Sequence, residues 1–157
     1  MSDESAPSEA DFLNAFDWFT AINEIGIINQ LTSTEFSRIL PHDLTIAQFT
    51  VLNHCVRLGD NRTPAELASA FQITRGTLTS TLKRLEQKSF IEVIADAQDG
   101  RSKRVLLTDA GRKAREDSIA AAIPLLLELG AQFPKDLVSQ LLPQLQQVRE
   151  YLDQRRD

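Results

Sequence analysis

Residues 63–87 read TPAELASAFQITRGTLTSTLKRLEQ, and the fold turns on this stretch. Thr63 offers a hydroxyl N-cap, Pro64 stands at the first helical position where its missing N–H costs nothing, and Glu66 completes a capping box. The helix so started is short, Pro64 to Phe71, with Leu67, Ala68 and Phe71 apolar. Gln72 and Ile73 make a brief turn. Thr74 then caps a longer helix to about Lys88, whose apolar positions Leu78, Leu82 and Leu85 are spaced four and three and so share one face. A short helix, a tight turn and a longer helix make a helix-turn-helix pair.

Downstream, Ile91, Val93 and Ala95 alternate with Glu92, Ile94 and Asp96, a strand pattern. Asp99-Gly100 is a hairpin turn signal, and Arg104 to Thr108 is the expected return strand. The tip carries Arg101, Lys103 and Arg104, three cations in four residues. Upstream, Thr45 and Gln48 form a second capping box. The helix it starts has Phe49, Leu52 and Val56 on one stripe with Val51, Cys55 and Leu58 beside it, a breadth that predicts deep burial; Gly59 stops it. The pattern predicts a mainly α fold: a winged helix-turn-helix with a two-stranded wing, flanked by N- and C-terminal dimerisation helices.

The flanks read as follows. Residues 1–10 are polar and acidic and are expected to be disordered. Residues 11–40 carry a helix to about Thr32, with Phe12, Phe16, Phe19 and Ile22 on one face, and a second short helix from Ser33 to Leu40. The winged helix-turn-helix part spans 41–108. Residues 109–157 hold a long helix broken or kinked at Pro124. A last helix follows, with Leu137, Leu141, Leu145, Val148 and Leu152 inward and a kink expected at Pro143. The central part is too small to cover both the Phe-rich first helix and the Leu-rich last one, so symmetric pairing of two chains is expected to bury them.

The formal net charge is −5, which counts against nucleic-acid binding, but its distribution matters more. Residues 1–44 set one Arg against eight acids, a balance of −7; residues 45–107 set nine basic residues against six acids, a balance of +3; the remainder is close to neutral at −1. The electropositive part of an acidic chain is thus the helix-turn-helix and its hairpin. Setting aside Leu78, Leu82 and Leu85 leaves Arg75, Gly76, Thr79, Ser80 and Lys83 outward on the second helix. Small residues permit close approach, hydroxyls and cations bond phosphates, and Arg pairs bidentately with guanine in the major groove. Alone, that face is also what any solvated amphipathic helix presents. The hairpin tips the balance, because a wing arginine can enter a minor groove, although a charged tip also protects any exposed hairpin edge.

The stretches LTIAQFTVL (44–52), TPAELASAF (63–71), ITRGTLTSTLKRLE (73–86) and above all DAQDGRSKRVLLTDAG (96–111) resemble the MarR-type transcriptional regulators. The Asp-x-Arg of the wing, the Leu-Thr and the Gly three residues on carry the likeness, which covers residues 40–115 by motif. The resemblance implies a homodimer on a pseudo-palindromic duplex site, and a repressor that releases DNA when a small phenolic or lipophilic effector binds. It implies major-groove contacts from Thr74, Arg75, Gly76, Thr77, Thr79, Ser80 and Lys83. In the wing it implies Asp99, Arg101, Ser102 and Lys103, with Arg101 in the minor groove and Asp99 holding it or a nearby cation. Gly76 stands where a small hydroxyl residue is commoner in the family. Either the backbone comes unusually near DNA there, or one phosphate contact is absent.

Other functions find little support. Two histidines, one cysteine and scattered carboxylates give no metal-ligand spacing, and no nucleophile–base pair or phosphate loop points to an enzyme or a cofactor. Cys55 invites a redox reading but sits on an apolar face, where cysteine is usually inert core. Trp18 and His42 could line an effector pocket, or be dimer packing and a loop residue. The longest greasy run, Ala120 to Leu129, is interrupted by Pro124 and Glu128 and falls short of the roughly 20 apolar residues a span needs, so no membrane association and a cytoplasmic location are expected. A second reading, motivated by the acidic balance, is a winged-helix interaction module without specific DNA binding.

Overall fold

The Thr45 and Thr63 hydroxyls accept hydrogen bonds from the Gln48 and Glu66 backbone amides at 3.3 and 3.1 Å, and both glutamine and glutamate side chains reach back to the cap amides. These boxes start α2 (Ile46–Leu58) and α3 (Pro64–Phe71) of the computed structural model, in which residues 8–96 and 102–155 are described. The full order is α1 (Glu9–Ile39), α2, α3, α4 (Arg75–Gln87), β1 (Ile91–Ala95), β2 (Lys103–Leu107), α5 (Asp109–Ala131) and α6 (Leu137–Asp153). The chain forms two units, residues 1–118 and 119–157.

The core of the first unit is made where α2, α3 and α4 meet the hairpin. Leu52, Leu67, Leu78 and Leu85 are fully buried, Ile91 and Val105 add the inward side of each strand, and Ala114 adds the first turns of α5. The strands pair antiparallel with Val93 opposite Val105 and Ile94 opposite Arg104. The other edge of β2 is occupied by the link between α2 and α3. Asn61 N–H donates to the Val105 carbonyl at 2.8 Å, Val105 N–H to the Arg62 carbonyl at 2.9 Å, and Leu107 N–H to the Asp60 carboxylate at 2.9 Å. Gly111 lies where α5 passes the end of α4. A Cβ there would come within 2.0 Å of the Phe90 carbonyl oxygen, so only glycine fits.

Several expectations need correction. The first two helices are one: α1 runs unbroken from Glu9 to Ile39, capped by Ser8 in a box with Asp11. Its start takes Glu9 and Ala10 out of the stretch expected to be disordered; residues 1–7 lie outside the described ones. Thr32 and Thr34, on either side of the expected boundary between Thr32 and Ser33, donate their hydroxyls to the Ile28 and Gln30 carbonyls at 2.7 and 2.9 Å and so stay within the helix. α5 is not broken at Pro124, and α6, where a kink alone is expected, runs on through Pro143. The return strand begins at Lys103. Leu58 is exposed at the end of α2, and in α6 the leucines expected inward are open in the single chain, Leu141 at 45% and Leu152 at 54%. None of the described helices is long and apolar enough to cross a membrane.

Candidate nucleic-acid interface

α4 is anchored at its start and buried along one face. The Thr74 hydroxyl accepts from the Thr77 amide at 3.2 Å and meets the Thr77 hydroxyl at 2.9 Å, while Gln72, in the left-handed region with φ 54°, makes the turn out of α3 by donating its N–H to the Ala68 and Ser69 carbonyls. With Leu78, Leu82 and Leu85 in the core, the structure leaves Thr74, Arg75, Gly76, Thr77, Thr79, Ser80 and Lys83 exposed together on the outer face and first turns of α4. The Thr79 hydroxyl is turned onto the Arg75 carbonyl at 2.7 Å. A Cβ on Gly76 would meet only the Thr74 hydroxyl, at 3.9 Å, so no packing inside the protein requires glycine there. An open cleft of about 450 Å³ lies beside this face at the turn, lined by Ala65 and Ser69 of α3 and by Ile73 and Arg75.

The wing is described only at its base. Ser102 is half-buried, and its carbonyl accepts from Asp96 N–H at 2.9 Å, closing the ends of the strands; Lys103 is exposed. Asp99 and Arg101 fall outside the described residues. Arg104, counted from sequence among the tip cations, is turned inward instead. Its Nε donates to the Asp96 carboxylate at 2.6 Å and its Nη1 to the Asn61 carbonyl at 3.0 Å, with the Glu66 carboxylate 3.8 Å away. The hydrogen bonds from Thr63 hold the Glu66 carboxyl below the usual carboxylate range, and Arg104 and Arg62 add to this.

The sequence did not single out Asp60, whose carboxylate caps the edge of β2, nor the network behind α4. There, Lys88 at the end of α4 donates to the His42 and Asp43 carbonyls at 2.7 and 3.1 Å, and His42 Nε2 lies 2.9 Å from the Asp117 carboxylate of α5. His42 is thus part of a brace and not a free loop residue. Lys113, which also pairs with Asp117, holds that carboxyl down, and His42 adds to it. Asp60 and Asp117 could be recognised only once distant segments were brought beside them; neither carries a local sequence signal. Trp18 on α1 is half open, at 51%. Cys55 is buried among the core leucines, and burial pushes its thiol up to about 11, with Asp60 adding to the effect. Among the described residues, no group of three His, Cys, Asp or Glu side chains could hold a metal ion.

Comparison with known proteins agrees with this geometry. The family model described as MarR family matches residues 42–102. An uncharacterised HTH-type transcriptional regulator of Bacillus cereus is 32% identical over 123 residues, covering 78% of this chain and 76% of its own. The chain belongs to the MarR family. It is a transcriptional regulator of that type and not an enzyme. Among solved structures, BldR of Sulfolobus solfataricus shares the winged-helix fold, with a TM-score of 0.75 at 22% identity over 92% of this chain and 99% of BldR. A mutant of Escherichia coli MarR, crystallised in complex with operator DNA, is 30% identical with a TM-score of 0.70, over 84% of this chain and 95% of MarR.

Proposed function

We propose that this MarR-family regulator binds a pseudo-palindromic site on duplex DNA as a homodimer, each chain offering α4 to the major groove and its wing to the flanking minor groove. The observation that carries the reading is the outer face of α4, where Arg75, Gly76, Thr79, Ser80 and Lys83 are exposed together. Arg75 and Thr79 sit in the first turns, where a recognition helix meets base edges. The space over Gly76 suits close approach of a phosphate to the helix backbone. Arg101, with Asp99 as its partner, and Ser102 and Lys103 are assigned to the wing contact.

Two chains are needed because one leaves too much apolar surface open. Phe12, Phe16 and Phe19 on α1 are each about two-thirds exposed, and α5 and α6 add Leu126, Leu127 and Leu142. Faces of this extent mark an interface, and a two-fold pair would bury them while presenting two α4 helices to a two-fold site. In this reading residues 11–40 and 109–157 dimerise and residues 41–108 hold the DNA. The protein works as a repressor in the cytoplasm, and a small lipophilic or aromatic effector releases it; family kinship supports both points. Arg75→Ala tests the assignment. It is expected to weaken binding to the specific duplex by about ten-fold or more, the scale of losing one bidentate base contact, while light scattering still reports a dimer. Unchanged affinity would remove α4 as the reading surface.

A further inference from the structure

Arg104 is the one wing cation that the fold uses internally among the described residues, and its position is unusual for that reason. It lies on β2 opposite Ile94, with β1 on one side and the 60–62 link on the other. A single guanidinium reaches both: Nε meets Asp96, just past the end of β1, and Nη1 meets the Asn61 carbonyl, two residues before the cap of α3. Glu66, the residue that closes the α3 capping box, stands 3.8 Å from the same Nη1. The Asp96 side chain is only 10% exposed, so the pair is largely shielded from water and from salt. A planar fork fixes direction as well as distance, which an ammonium on a flexible stem does not.

From this geometry we infer that Arg104 is a positioning residue for DNA binding. It locks the two strand ends from which residues 97–101 depart to the start of α3, and so sets the wing's angle relative to the helix-turn-helix pair. The inference rests on the reading that the wing touches DNA. Residues 97–101 can reach a minor groove only if their base points correctly when α4 is seated. The backbone bonds of β2 to the 60–62 link fix the strand itself, and the guanidinium adds the tie between Asp96 and that link. Arg104 makes this tie from within the protein, with its side chain two-thirds covered.

A double-mutant cycle tests it. Arg104→Ala is expected to weaken binding to the specific duplex by about ten-fold, a size within reach of residues that touch neither partner. In an Arg101→Ala background, the added loss from Arg104→Ala should shrink to below about two-fold, because an unheld wing without its contact has little left to lose. Arg104→Lys, which retains a cation for Asp96 but not the fork, should fall between wild type and Arg104→Ala. It serves as the second variant if Arg104→Ala folds poorly by circular dichroism. Losses from Arg101→Ala and Arg104→Ala that multiply independently would overturn the inference, as would wild-type affinity in both Arg104 variants. Full affinity in Arg101→Ala would show instead that the wing makes no contact, and the functional reading of the wing would fall first, carrying this inference with it.

Discussion

The helices of this chain fall into two kinds. α2, α3 and α4 together bury leucines to zero exposure, with Leu52, Leu67, Leu78 and Leu85 touching across a core that the hairpin closes. α1, with 31 residues, and α6, with 17, bury none, although both carry phenylalanines or leucines at helical spacing. The contrast is one of partners. In the first region, each apolar stripe faces another stripe of the same chain, so its stability is a property of one molecule. In the second, the stripes stand exposed, and under the proposed pairing of two chains their burial would depend on concentration.

Breaking the core side of this contrast should have the largest effect. Leu78→Ala removes a fully buried side chain from the root of α4, and urea unfolding is expected to show a loss of about 3 kcal/mol, typical of a large-to-small core change. A loss under about 1 kcal/mol would mean the core tolerates a gap it is not expected to tolerate. On the other side, Phe16→Glu, paired with Phe19→Glu, should leave the winged-helix core folded. It should shift light scattering from dimer to monomer and weaken DNA binding in proportion. A dimer that persists would place the interface elsewhere than on α1.

Smaller effects sharpen the picture. Thr63→Ala removes the hydroxyl that accepts from the Glu66 amide and caps α3; about 1 kcal/mol of stability should go with it, as for other N-caps. Cys55 should be almost inert. With its thiol raised from 9.0 to about 11 by burial, it stays protonated at neutral pH, so peroxide and iodoacetamide should react slowly with the folded protein. The sign of its pH effect follows. The folded state holds the proton more tightly than the unfolded one, so the contribution to stability is intact below 9.0 and is lost as pH rises through about 11. Fast labelling at neutral pH would show an exposed or activated thiol.

Much of this was legible in the chain because the signals were local. The capping boxes at Thr45 and Thr63 give the starts of α2 and α3 to the residue, and the spacing of Leu78, Leu82 and Leu85 gives the buried face of α4 and, by subtraction, its outer one. What failed depended on choices that local pattern leaves open. A cluster of Thr and Ser at 32–34 suits a cap or a helix interior equally, and α1 takes the second option by turning the Thr32 and Thr34 hydroxyls onto its own carbonyls. Arg104 looked like one more tip cation. Its role appears only when Asp96 and Asn61, eight and 43 positions away, are folded beside it.

The central claim is that the outer face of α4 and the wing read a particular duplex. It is tested most directly by fluorescence anisotropy on the DNA upstream of the protein's own gene against scrambled DNA of the same length, at two salt concentrations. The account predicts tight binding to the upstream duplex and weak binding to the scrambled one, with affinity falling steeply as salt rises. Weak binding to both, with no preference between them across promoter-containing genomic fragments, would contradict it and favour a winged-helix module that engages protein instead.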